Sequence, residues 1–210
     1  MIKNSFDYPI AQPPFEPVPY EDMTKEQAKR HFDWFVSIIP DRLALLRKMY
    51  HREVSRQDLD YTFESLIPLW VWMRRHVGRT GVKHIVEIPR PAGAAKGPPV
   101  GVESEAFTVT TLALAQDCGM YVAEVLMRVY PFIHWALSKY WHKHSADRAK
   151  PVLVGMTSVF EPKGKPEPIE VRPFSLLLKC VIRHLDGDMA DDVLLKGASY
   201  LRDDAEKSRT

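Results

Sequence analysis

Residues 105–129 read EAFTVTTLALAQDCGMYVAEVLMRV. Phe107, Leu114, Cys118, Val122, Val125 and Val129 recur there at helical spacing on one side. Pro131 stops the pattern. This is the strongest helical signal in the chain, and the other elements are laid out around it. Asp117, Tyr121, Glu124 and Arg128 line one edge of the same helix.

Upstream, Thr24-Lys25-Glu26-Gln27 fits a capping box, in which the hydroxyl and the Gln27 side chain each satisfy a free backbone amide. Ala28, Phe32, Phe35, Val36 and Ile39 follow as a core stripe. Pro40 ends this helix or opens the next, which covers residues 42–52. Thr62 caps a third helix through Val77, with Leu66, Trp70, Met73 and Val77 on one face and Gly78 as its stop. Downstream, residues 133–141 and 151–156 read as strands and residues 162–168 as a loop. Residues 174–185 fit helix or strand, and helix is preferred; a turn at Asp186-Gly187 leads to a last helix over 190–203. The fold class expected is α+β: a predominantly helical single domain, residues 1–210, of about six helices. A small sheet is expected from the Val82, Ile133 and Val152 regions. The core is expected to hold Phe32, Phe35, Leu66, Trp70, Cys118, Val122 and Val125.

Two segments break the periodic pattern. Residues 1–22 carry Pro9, Pro13, Pro14, Pro17 and Pro19, which forbid a helix, interleaved with Tyr8, Ile10, Phe15, Val18 and Tyr20. So much apolar surface predicts an arm packed on the domain rather than a free tail. Residues 79–104 hold four prolines and four glycines and read as a long loop, with a short strand at 82–88.

Composition bounds the function. The 210 residues are 45% hydrophobic and 27% charged, with a formal net charge of +2. That is globular, and neither strongly basic nor strongly acidic. Cys118 and Cys180 both lie in apolar stretches, so they are expected as reduced, buried side chains without a disulfide. Residues 1–8 lack an apolar signal core, and no apolar run reaches the ~18 residues of a spanning helix. A cytoplasmic location with no membrane contact is expected.

The candidate chemistry is sparse. Asp117 and Glu124 stand two turns apart, roughly 10 Å along the axis, a long separation even for an inverting glycosidase. Glu124 has an i,i+4 partner in Arg128, and Asp117 is set to meet Tyr121 in the same way. A hydrolase-like reading would use Asp117, Tyr121 and Glu124 with His134 near by. His134, His142 and His144 lack a third ligand that would make a metal site. No phosphate-binding glycine loop, nucleophile elbow, zinc motif or Cys-x-x-Cys is present, so neither metal nor cofactor is expected.

Aromatic and basic surplus points instead to binding. His31, Trp34 and Ile38 lie opposite the first helix's core stripe at about 100° per residue, and Trp72 lies off the Leu66 face. Such residues are either covered by the arm or anchor a partner. Arg74, Arg75, Arg79, Lys83, Arg90 and Lys96 stand against Glu87 alone between residues 74 and 100. A second basic stretch covers 128–150. Trp34, Trp72, Arg74, Arg75, Arg79 and Lys83 are therefore the candidate contacts for an acidic protein partner. Nucleic acid is the poorer reading, because the first stretch lacks aromatic residues for stacking.

Three stretches carry a family resemblance: residues 23–42, with His31-Phe32-Asp33-Trp34-Phe35 and Ile39-Pro40-Asp41-Arg42; residues 62–70; and residues 117–124 with Trp135 and Pro151-Val152-Leu153-Val154-Gly155. Together they resemble a family of small bacterial cytosolic proteins without an assigned activity. The resemblance runs from the arm to Met156 and implies a shared fold. It transfers no catalytic residue. At the level of size and fold it is similar to immunity proteins that neutralise a cognate toxin. The loop around 89–101 is longer than that pattern. The function expected on these grounds is non-enzymatic binding of a macromolecule.

Overall fold

The computed structural model describes residues 6–55, 58–88, 100–139, 148–158 and 167–209, with backbone alone for 83–88, 100–104 and 167. Five α-helices and two antiparallel sheets are present among them. The α+β class follows directly from this inventory.

The capping box forms as written: the Gln27 amide donates to the Thr24 hydroxyl, and the Thr24 amide to the Gln27 side chain. It opens α1, Lys25–His51, one unbroken helix of 27 residues with Pro40 inside it. The expected break at Pro40 is therefore corrected, and two of the six expected helices are one. Pro40 faces solvent, where the proline ring displaces no packed neighbour. The core stripe is also rotated from the expected one. Phe35, Ile39, Leu43 and Leu46 are buried, whereas Phe32 is half-buried and Val36 exposed.

The third predicted helix is shorter than expected. α2 is Leu66–Met73, and Thr62 accepts from the Ser65 amide in the turn before it. The central helix α3, Val109–Val129, is capped by Thr108, whose hydroxyl accepts from Thr111. Leu114, Cys118, Val122 and Val125 are fully or almost fully buried along it. Val129 is exposed and Phe107 precedes the helix, so the expected stripe is right only in its middle. α4, Pro173–Leu185, starts on a proline that fits the first helical turn. α5, Val193–Lys207, buries Leu194 and Ala198.

The expected long loop at 79–104 carries strands at both ends. β1, Arg79–Ile88, pairs antiparallel with β2, Val100–Phe107; residues 89–99 lie outside the described set. This hairpin is a sheet of its own, so the expected single sheet is corrected to two. The other sheet has the order β3-β4-β5, from His134–Leu137, Pro151–Ser158 and Glu167–Val171. The last of these replaces part of the expected 162–168 loop. Gly155 makes the register shift in β4 possible. Its φ is +106°, and a Cβ there would collide with the Phe132 carbonyl.

One large core joins the five helices and the second sheet. The arm packs on it through Tyr8, 2% exposed. A smaller apolar cluster of Met23, Ala28 and Ala149 ties the arm's end to the root of β4.

Candidate ligand-binding site

Asp117 lies in the interior, not in a cleft. It is fully buried on α3 and accepts from the Arg42 Nε at 2.9 Å and the Tyr8 hydroxyl at 2.6 Å. Arg42 also donates to the Pro9 carbonyl at 2.7 Å. Burial pushes the Asp117 carboxyl up, against the pull of Arg42 and Tyr8. Burial and the neighbouring carboxylate push the Tyr8 hydroxyl up as well, so it stays a donor. This triad fastens the arm to α1 and α3. The expected Asp117–Tyr121 contact is replaced by it, because both side chains find stronger partners from distant segments.

Tyr121 instead accepts from the Tyr61 amide and bonds the Ser65 hydroxyl at 2.7 Å. Glu124 is half-buried and paired with Arg128 at 3.0 Å. His134 is exposed, its Nδ1 against the Phe132 carbonyl. The candidate catalytic residues thus have separate partners and do not converge on one site. His142 and His144 lie outside the described residues. Among the described residues no group of three or more His, Cys, Asp or Glu side chains is placed to hold a metal ion.

The candidate partner contacts scatter too. Trp72 is a correction: it is fully buried, edge-on to Tyr50 and Phe6. The arm's Phe6 covers the side that the helical wheel left open. Arg74 pairs with Asp191 and Arg79 with Asp186. Two of the six basic residues of that stretch are thereby paired with the acidic run at 186–192. Arg75 is exposed, and the Lys83 side chain lies outside the described residues.

Trp34 belongs to a different arrangement. It is half-buried beside a cavity of about 420 Å³ between the arm, α1, α3, β3 and the start of α4. Ala11, Pro13, Pro17, Val18 and Tyr20 form the arm's wall. His31, Trp34 and Phe35 come from α1, and Gln116 from α3. Trp135 comes from β3, and Phe174 from the first turn of α4. The rings interlock edge to face: Tyr20 on His31 at 5.1 Å, His31 on Trp34 at 5.2 Å, and Phe35 on Trp135 at 5.1 Å.

The polar groups of this cavity are few and mostly donors. Lys150 and Arg172 line it, each held by contacts of its own, and among the described residues no carboxylate does. Lys150 stands 5.4 Å above the Tyr20 ring. His31 Nδ1 and Trp135 Nε1 are buried without a hydrogen-bond partner in the protein. Burial lowers the His31 pKa, so the ring is neutral at neutral pH. Burial raises that of Tyr20 to about 12. The protonated hydroxyl meets His31 Nε2 at 3.5 Å.

Sequence reasoning flagged His31 and Trp34 as a surplus stripe but missed their neighbours. The Pro173 helix start was the available signal for Arg172 and Phe174. Nothing local tied Tyr20, Gln116 or Lys150 to the same cavity. No family model, curated protein or solved structure matches the chain. No residue role therefore transfers from a relative.

Proposed function

We propose that the protein binds a small organic molecule in the cavity beneath its proline-rich arm. The observation that carries this reading is a cavity of about 420 Å³ walled by rings from the arm, α1, β3 and α4, with Gln116, Lys150 and Arg172 in its lining. Its volume falls within the ~300–1,000 Å³ typical of small-molecule sites. The lining is largely apolar with a few convergent polar groups, the usual composition of such sites.

This narrows the expected binding role from a macromolecule to a small ligand. An acidic protein partner would need anchors on the surface, and Trp72 is in the core while Arg74 and Arg79 serve internal ion pairs. A hydrolase would need converging acid and base groups, and Asp117 and Glu124 are each committed elsewhere.

The test is native mass spectrometry of the intact protein purified from its own cells, followed by release under denaturing conditions. A small molecule should leave with unfolding. Trp34→Leu should lower its retention, while Arg75→Glu, at an exposed residue outside the lining, should not. If nothing is released, and melting temperature is unmoved by a panel of neutral, cationic and anionic aromatic compounds, the reading fails.

A further inference from the structure

We infer that the ligand of this cavity is a flat molecule with a lactam- or carboxamide-type edge, an N–H beside a C=O, that pairs with the side-chain amide of Gln116; this rests on the small-ligand reading above. Most other polar groups of the lining are committed. The Tyr20 hydroxyl and His31 Nε2 face each other at 3.5 Å. His31 Nδ1 and Trp135 Nε1 are shut in by their own surroundings. Lys150 and Arg172 have partners of their own. Gln116 differs. It lines the cavity, its amide makes no hydrogen bond with any described residue, and neither its oxygen nor its nitrogen is closed off by packing.

Its place on α3 makes that accessibility informative. From Ala113 to Ala123 every residue of the helix is buried except Gln116, which is half-buried. A side chain typical of surfaces thus stands in the buried middle of the central helix, where the cavity meets it. A primary amide presents an acceptor oxygen and a donor N–H in one plane. A ligand edge with N–H and C=O side by side matches both in two parallel hydrogen bonds. An edge with an acceptor alone leaves the amide oxygen unmatched, and an edge with neither group strands both. The body of the ligand is flat for a separate reason. The neighbouring walls are the rings of Trp34, Phe35, Trp135 and Phe174, which favour stacked or edge contacts with a planar partner.

Equilibrium dialysis with 2-quinolone, coumarin and naphthalene tests the edge at nearly constant shape. 2-Quinolone carries the N–H beside the carbonyl, coumarin replaces that N–H by a ring oxygen, and naphthalene has neither. The full-length protein should bind 2-quinolone about tenfold or more tightly than coumarin, and naphthalene more weakly than 2-quinolone. Gln116→Met should erase the gap between 2-quinolone and coumarin while naphthalene binding persists, which reports an intact cavity. Gln116→Glu should shift the preference to 2-aminoquinoline, whose protonated edge offers two donors to a carboxylate, a gain that misfolding cannot produce. Trp34→Leu should weaken all three of the first probes. If coumarin matches 2-quinolone in the wild type, or if both Gln116 variants keep the wild-type preference, the Gln116 assignment is overturned and the cavity reading survives. If Trp34→Leu weakens none of them, the probes sit elsewhere and the assignment falls. If none of the probes binds, the cavity reading and the assignment fall together.

Discussion

Asp117 is buried beside Arg42, itself only 8% exposed, so neither charge can be relaxed by solvent. Breaking such a pair by removing one charge costs more than the pair is worth, because the other is stranded. Asp117→Asn should destabilise the fold by about 3–5 kcal/mol, read as a lower denaturant midpoint. Tyr8→Phe removes one hydrogen bond to a charged group and should cost about 1.5–3 kcal/mol. The double variant Arg42→Met with Asp117→Leu should be more stable than Asp117→Asn alone. If it is less stable, the pair is net stabilising and the desolvation argument is wrong. Gly155→Ala belongs at the same scale. It places a side chain at φ +106° and against the Phe132 carbonyl, so soluble protein should fall sharply.

Helix α1 shows what an element tolerates when its neighbours hold it. A proline inside a helix removes one i→i−4 bond and costs about 3 kcal/mol relative to alanine. Pro40 is exposed, so replacing it opens no hole in the core. Pro40→Ala should raise stability by about 1–3 kcal/mol, measured by urea unfolding. A fall in stability would mean that a proline-induced bend is needed to bring Phe35 and Leu46 onto the core together. The start of α4 is less forgiving. A Cβ at Gly119 would lie 3.0 Å from the Phe174 amide nitrogen, so the backbones of α3 and α4 approach closely there. Gly119→Ala should push the two apart by a few tenths of an ångström, next to the cavity-lining Pro173 and Phe174.

At the scale of the molecule, acid stability follows from His31. Its pKa is lowered in the folded state by burial, so unfolding takes up a proton once the pH falls below the ordinary histidine value. The contribution is full above about pH 6.5 and is lost as pH falls from there through the lower folded value. Wild-type melting temperature should therefore drop between neutral and mildly acidic pH, and His31→Phe should make that drop smaller. An unchanged slope in the variant would show that other groups carry it. The thiols make a second global test. Burial pushes Cys180 up to about 11 and Cys118 well above its ordinary range. Both are free, so neither should react with a thiol reagent in the native state and both should react after denaturation. Melting should ignore reductant.

Features legible in the sequence are those that neighbouring residues decide together. The cap at Thr24, the buried middle of α3, the strands around Trp135 and Val152 and the turn at Gly187 all depend on positions within a few residues of each other. Periodicity reports which face is apolar, and caps report where a helix begins. The α+β class follows from those local signals. Which distant groups share a space is settled by packing alone. Tyr8 meets Asp117 across 109 positions and Arg42 meets it across 75. No local pattern encodes either contact. The same holds for Trp72, which a helical wheel leaves facing outward and the arm covers with Phe6. It holds for Arg74 and Arg79, whose charges looked available until the 186–191 segment folded onto them. The cavity is the extreme case, since its lining comes from the arm, two helices, two strands and the first turn of α4. Burial and charge pairing are properties of the packed chain, and they decide whether a tryptophan or an arginine is core, ion pair or ligand contact.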